Sequence, residues 1–445
     1  MSRTVFILGD TVEAWATGLY VRRVLDKLVD NVVIAPSAEH RTSEPSALVA
    51  PPQTKRFFSS LGLTEEILFR EAGASFLLGA EIRAQETFTL AYGQYGVPAN
   101  SVPFHHFWMR MMDVDAAAPF DHYSFGAELA RSGRFVHPSP DPKRIESSFD
   151  YGYTLEGTAF GACLRAQALS AGVMQASAQD IEEVSPWLVL DCTGRESRGN
   201  WVSWPDLPES FSVDEEVSEE PSGNLSVYTV QRLADGVSIC LHPRKPTVTR
   251  RLGISAGGEC RTGRSEAPWR GNAVSLGGSA CQLPGLHSPQ FLLLHAQLDL
   301  LASLLPAENV AVDVVAAEYN RRATRMMDNV ADFDALALTS LKKAGLWRYS
   351  APSLARKAEQ FVSRGRPVTY DDELYSEQDW IAAFIGAGFL PERVSPLALA
   401  APLEAVERNY EGLRRAIVQA ASRLPDQQQY LDHLLSIQQG APNAV

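Results

Sequence analysis

Cysteine is scarce in this chain: five in 445 residues, at Cys163, Cys192, Cys240, Cys260 and Cys281, with no CxxC among them. That argues against a disulfide framework, and it points to a reduced, cytoplasmic setting. Long apolar runs are missing as well, so no segment reads as a membrane span. The opening "MSRTVFILGDT" turns polar after one short apolar stretch, unlike a signal peptide. Basic residues are outnumbered: 40 Lys and Arg against 53 Asp and Glu give a net charge of -13. Such a balance argues against nucleic acid or an anionic membrane as partner. There is no P-loop, no GxSxG elbow and no HExxH. No histidine and cysteine spacing suggests a metal, so none is expected.

What is present is the pattern of a large α/β protein. "TVFIL" (4–8), an amphipathic stretch "VEAWATGLYVRRVLDKL" and "NVVIA" (31–35) read as a strand–helix–strand unit. "TEEILFREAGA" reads as a helix with Thr64 as N-cap, and "EIRAQETFTLAYG" as a strand pair. "PWLVLDCTGR" (186–195) is a buried strand running into a glycine turn, and "NAVSLGGSA" (272–280) is another. "PESFSVDEEVSEEPSGN" (208–224) is acidic and serine-rich and reads as a mobile surface loop. "SPQFLLLHAQLDLLASLLP" is an apolar helix, and from about residue 308 the pattern is helical to the end. The expected division is 1–305, an α/β domain of nucleotide-binding type with interleaved segments of a second sheet, and 306–445, a helical region.

The order of "FFSSLGL", "ASFLLGAEI", "HHFWMR" (105–110), "VLDCTGRES" (188–197), "WRGNAVSLG" (269–277), "NVADFDALAL" (328–337), "WIAAFIGAGFLPE" (380–392) and "RLPDQQQYL" (423–431) adds a further inference. In that order and spacing the chain resembles the flavin-dependent tryptophan halogenases over nearly its whole length. The resemblance implies a flavoprotein monooxygenase fold: a Rossmann-type FAD-binding part, a substrate sheet and a helical C-terminal part. Against that resemblance the chain is shorter between Val173 and Trp187, where a hairpin usual in the family is expected to be absent, leaving the sheet smaller.

The same resemblance locates the sites, and there the chain departs from it. The family's glycine-rich turn falls on Gly9, Asp10, Thr11, Val12, Glu13 and Ala14. Thr11 stands where a glycine lets backbone approach the pyrophosphate, and Ala14 is a tolerated substitute for the last glycine. Asp10 and Glu13 put carboxylates where a helix N-terminus attracts an anion, Asp10 reading as the N-cap. The ribose-binding carboxylate at the end of the second strand falls on Ala35, with Glu39 as a nearby substitute. The loop over the flavin falls on residues 45–50 and has lost its glycines. The halogenase lysine falls on Leu77, and the active-site glutamate on His287, which reads more readily as a surface residue. The Trp-x-Trp segment falls on residues 237–242, without either tryptophan.

Other positions keep the pattern. Asp191 and Gly194 preserve the strand-end turn, and Gly277 the small-residue turn beside the flavin ring. His105, His106 and Trp108 fall beside the indole pocket; read as a strand, the two histidines point apart. Trp347 and Trp380 read as packing residues. The losses concentrate on cofactor and catalytic positions. The expectation is therefore a catalytically degenerate homologue with no cofactor, FAD if any. It would serve as a partner subunit of an intact halogenase paralogue, in a homo- or hetero-oligomer. A working FAD-dependent halogenase or monooxygenase with an altered site, and an indole-binding protein, are the alternatives.

Overall fold

The computed structural model describes residues 3–36, 45–84, 86–176, 186–196, 199–219, 224–244, 246–253, 258–287, 289–305, 312–341 and 351–439. Glu39, Trp347 and most of the shortened 173–187 segment lie outside them.

The expected strand–helix–strand unit forms at the N-terminus: β1 (Thr4–Leu8), α1 (Val12–Val24) and β2 (Asn31–Ala35). β1 runs parallel to β2 in the register Val5↔Val32 and parallel to the strand Leu188–Asp191 in the register Val5↔Leu188. Strands covered on both faces need continuous apolar sequence, which "TVFIL", "NVVIA" and "LVL" supply. The six-stranded sheet is completed by Ala273–Ser275 and Trp269–Arg270 on one side and Met174–Gln175 on the other. α1 covers one face, burying Trp15, Leu19 and Tyr20. The strongly apolar helix Gln290–Leu304 packs against it, and the Tyr20 hydroxyl donates to Asp299 at 2.5 Å. Helices packed on this mainly parallel sheet give a Rossmann-type fold.

A second, seven-stranded sheet runs in the order 260–261, 210–218, 247–253, 236–241, 227–232, 79–83, 87–91. The strand Ser210–Ser218 overturns the expectation of a loop over 208–224. Its acidic residues are no obstacle to pairing, because arginines stand opposite them: Glu215↔Arg250 and Asp214↔Arg251 are cross-strand neighbours. Residues 220–223 of that stretch lie outside the described residues.

The described C-terminal residues are largely helical, as expected: Val312–Ser340, Pro352–Arg364, Glu377–Gly386, Leu403–Ser422 and Gln427–Gln439 are the main helices. They contribute to both apolar cores. Tyr319, Met327 and Ile417 join the core around the parallel sheet, whereas Phe333, Trp380 and Tyr410 join the core under the large sheet. Trp380 is fully buried, in keeping with a packing role. Among the described residues no helix is long and apolar enough to cross a membrane, and no group of three His, Cys, Asp or Glu side chains is arranged to hold a metal. The five cysteines are free.

Candidate functional site

A groove of about 530 Å³ opens between the C-terminal ends of the parallel strands and the large sheet. This is where open α/β sheets bind ligands. One wall comes from Thr11, Val12 and Glu13, Thr193 and Gly194, and Gly277 and Gly278. The other comes from Pro45, Ser46, Leu48 and Val49 with Phe211, Val213 and Leu252 of the large sheet.

The turn from β1 into α1 is tight. Gly9 has φ +122°, and a Cβ there would lie 2.6 Å from the Cys192 carbonyl oxygen. Its N–H donates to the Ala35 oxygen at 3.0 Å, so the ends of β1 and β2 are locked together. The expected Asp10 N-cap is not found. Thr11 is the N-cap: its Oγ1 accepts from the Ala14 N–H at 3.1 Å and donates to the Cys192 carbonyl at 3.0 Å. Asp10 is drawn off by the indole of Trp15, whose Nε1 donates to Oδ1 at 2.8 Å. A β-branched threonine in extended backbone is a better cap here because its hydroxyl also satisfies the neighbouring strand end.

Glu13 reaches along its own wall of the groove to the neighbouring glycine turn. Its Oε2 accepts from the Gly278 N–H at 3.0 Å. Gly277 is in the left-handed region, φ +51°, and a Cβ on it would collide with the Glu13 carboxylate. The contact therefore depends on glycine on one side and on an acidic side chain on the other.

Asp191 organises the remaining turns. Its Oδ1 accepts from the Thr193 hydroxyl at 2.8 Å and from the Ser279 hydroxyl at 3.0 Å, and Ser279 Oγ in turn accepts from the Gly194 N–H at 3.0 Å. Gln282 Nε2 donates to the Gly194 carbonyl at 3.1 Å. Gly9, Thr11, Ala14, Ala35, Asp191, Gly194 and Gly277 are thus gathered at one end of the parallel sheet.

The large sheet adds a pair that sequence reading missed. Arg250 Nη2 lies 2.7 Å from Glu215 Oε1, and both side chains are mostly buried. Glu215 Oε2 also accepts from the Ser46 N–H at 2.8 Å, and Arg250 donates to the Ala47 carbonyl at 3.0 Å. The pair ties residues 45–47 to the sheet. The signal was present as three acidic residues in "VDEEV" and two arginines in "TVTRRL", but only the antiparallel register joins them.

The remaining candidates lie elsewhere. Leu77 ends the short strand Ser75–Leu77, is fully buried and belongs to the apolar core under the large sheet. His287 is not a surface residue. It is buried with its ring 4.6 Å from that of Phe333, its N–H donates to Asp334 at 3.2 Å, and desolvation pushes its pKa down to about 3. Asp334, held by the Gly285 and His287 amides, is pushed up to about 6 by burial.

His105, His106 and Trp108 sit on the helix Phe104–Met112, not on a strand, and the two imidazoles do not point apart: their centroids are 4.3 Å from each other. Three aromatic residues in six hide the helical period from a pattern reading. His105 Nε2 donates to the Gly365 carbonyl at 2.7 Å and, mainly through burial, has its pKa lowered to about 3. His106 Nδ1 accepts from the Ser395 N–H at 3.3 Å, and Trp108 Nε1 donates to the Ala118 carbonyl at 2.8 Å. Each is engaged in helix packing. None of Leu77, His287, His105, His106 and Trp108 lines the groove.

Comparison with known proteins adds the following. The family model for tryptophan halogenase matches residues 4–199 and 254–403. Tryptophan 7-halogenase KtzQ of Kutzneria sp. (strain 744) is 22% identical, covering 97% of this chain and 98% of its own. Tryptophan 6-halogenase ThaL of Streptomyces albogriseolus is 20% identical, covering 74% and 75%. Among solved structures, BrvH, a flavin-dependent halogenase from Brevundimonas sp. BAL3, superposes with a TM-score of 0.86 at 23% identity over 97% of this chain and 99% of that one. Xcc4156, a flavin-dependent halogenase from Xanthomonas campestris, gives 0.85 at 19% over 97% and 98%.

Proposed function

The chain belongs to the tryptophan halogenase family, and from that premise we propose that it is a catalytically silent member acting as a partner subunit of an intact, flavin-binding halogenase paralogue. The observation that carries this reading is the contact between Glu13 and Gly278. In a flavin dinucleotide site of this fold the start of α1 faces the pyrophosphate. Here the Ala14 amide is taken by Thr11, and two carboxylates, Asp10 and Glu13, stand at that end. A phosphate charge ~6 Å from one carboxylate at an effective dielectric of ~20 costs about 3 kcal/mol. These residues do not fit a pyrophosphate, and no chemical step is assigned through a flavin.

Leu77 supports the same reading. An apolar side chain buried in a core has no nitrogen to hold an oxidised halide, and it faces no open space. The fold extends over 97% of this chain in two solved halogenases, whereas by the family resemblance the cofactor and catalytic positions carry other residues. Loss confined to chemistry is what selection on a surface would leave. Leu397 and Leu399 on the short helix Pro396–Leu399 are 64% and 59% exposed, and they offer apolar contacts on the C-terminal helices.

The experiment is co-expression with an intact paralogue, followed by size-exclusion chromatography with light scattering on the pair and on each protein alone. The expected result is one heteromeric peak that persists at micromolar concentration, lost when Leu397 and Leu399 are both changed to Asp. Separate elution, with the paralogue's activity unaltered by this protein, overturns the partner role. Low-micromolar FAD binding by this protein alone overturns the silent-member reading and favours a working flavin enzyme.

A further inference from the structure

The stretches "FVHPSP" (135–140) and "RLPDQQQYL" (423–431) meet in a cluster outside the groove. Tyr430, on the helix Gln427–Gln439, has its hydroxyl 2.7 Å from His137 Nδ1, and His137 Nε2 lies 2.9 Å from Glu65 Oε2. Glu65 Oε1 accepts from the hydroxyls of Tyr151 and Tyr153 at 3.0 and 2.9 Å. Three phenols therefore converge on one carboxylate, two directly and one through an imidazole. Tyr151 and Tyr153 are buried, whereas Tyr430 is half-buried and within reach of solutes.

This network fixes where the protons are. Burial opposes ionisation of Glu65, but the bonds from His137, Tyr153 and Tyr151 hold its carboxyl below the ordinary range. An ionised carboxylate only accepts, so His137 Nε2 carries the proton and Nδ1 of the neutral ring accepts from Tyr430. Phe76, Phe135 and Tyr151 stand edge-on to the imidazole with centroids 5.4, 5.6 and 5.4 Å away, and they hold it in line. Burial raises the Tyr430 pKa, so a phenol and not a phenolate meets an oxidant. A phenol that loses an electron becomes a strong acid, and the aligned base takes its proton in the same step.

We propose that Tyr430 is a redox-active tyrosine that gives one electron to an oxygen-centred radical of the peroxyl class while its phenolic proton passes to His137. The Oη–H bond breaks and an Nδ1–H bond forms. Tyr430 becomes a neutral phenoxyl, the imidazolium is paired with Glu65, and the peroxyl is reduced to a hydroperoxide with a proton from solvent. A one-electron reductant reverses the change, the proton returning from Nδ1 to Oη. Tyr370 is half-buried too, but the Lys357 ammonium lies 5.5 Å from its ring and opposes the loss of an electron. The inference does not depend on what the groove holds.

The test is oxidation of the full-length protein by hexachloroiridate(IV), which takes an electron and no proton, followed by stopped-flow absorbance and freeze-quench EPR. The parent should give a phenoxyl signal. Y430F, which removes only the hydroxyl, should lose most of it, and Y370F should keep it. H137F fills the same aromatic box without either hydrogen bond and should slow phenoxyl formation by ~10²-fold, the usual worth of a positioned base. In heavy water the parent should react more slowly, a readout that needs no substitution. Peroxyl radicals from a thermal azo initiator should modify Tyr430 ahead of Tyr370, read by peptide mass mapping. A purely structural network would shift the melting temperatures of the variants and move none of these readouts. Parental phenoxyl yield in Y430F, equal rates in the parent and H137F, equal rates in water and heavy water, or Tyr370 modified as readily as Tyr430 each overturns the proposal.

Discussion

Glu13 and Gly278 are 265 residues apart in sequence and share a hydrogen bond of 3.0 Å across the mouth of the parallel sheet. The bond joins the first helix of the fold to the glycine turn beside it on the same wall of the groove, and it places a negative charge where a dinucleotide phosphate would need a positive potential. The first expectation follows from it. Replacing Asp10 and Thr11 by Gly and Glu13 by Ala should turn an FAD affinity no better than high micromolar into a readily measurable one. Isothermal titration of parent and triple variant reads the difference. Halide incorporation into an indole should stay at background in both, and its appearance would show that Leu77 is not the decisive loss.

Thr11 should matter for stability apart from any ligand. Thr11→Ala removes the N-cap bond to Ala14 and the bond to the Cys192 carbonyl. A loss of about 1–2 kcal/mol is expected. Urea denaturation measures it, and an unchanged midpoint would contradict the capping role.

Restoring a lysine at position 77 should not restore chemistry. Leu77 has no exposed surface, and Leu77→Lys would bury an ammonium in an apolar core. The expected cost is about 4 kcal/mol or more, read as poor solubility or a strongly lowered melting temperature. A stable, well-folded variant would mean that the site opens to water.

Glu215 and Arg250 should be energetically coupled. A double-mutant cycle with E215Q and R250M should give about 1–2 kcal/mol, above the value for exposed pairs because both groups are mostly buried. Additive single effects would reduce the pair to a bystander.

His287 sets a pH dependence. Its pKa is about 3 in the fold against an ordinary value near 6.5, so below about pH 6.5 the unfolded chain takes up a proton that the folded chain refuses. Stability is therefore full above that pH and falls as the pH drops toward 3. Asp334 beside it works in the opposite sense, because its raised pKa, about 6, makes the fold bind a proton first. His287→Phe should lose about 1–2 kcal/mol less than the parent between about pH 7 and pH 5. Denaturant midpoints at the two pH values check it, and parallel losses in both proteins would contradict the assignment.

Much of this architecture was legible because the relevant signals are local. The β1–α1–β2 unit, the strand ending at Asp191 and the helix Gln290–Leu304 each carry their own apolar pattern. The misread elements depend on distant partners. "SFSVDEEVS" is a strand only because Arg250 and Arg251 face its carboxylates, and periodicity within the segment cannot reveal neighbours 35 residues away. The same holds for His105, whose partner Gly365 lies 260 residues on, and for His287, buried by Phe333 of a helix that begins at Val312. The carboxylates at the turn after β1 could be read from the sequence. Where the remaining carboxylate would go could not.

The Glu215–Arg250 pair has a mechanical consequence. It grips the backbone at residues 46 and 47 through one donor and one acceptor, so this wall of the groove is riveted to the large sheet. Residues 46 and 47 are thereby part of the frame of the groove. Opening it would require breaking an ion pair and two backbone bonds together, so the amide of Ser46 should exchange with solvent on the timescale of the sheet rather than of the surface.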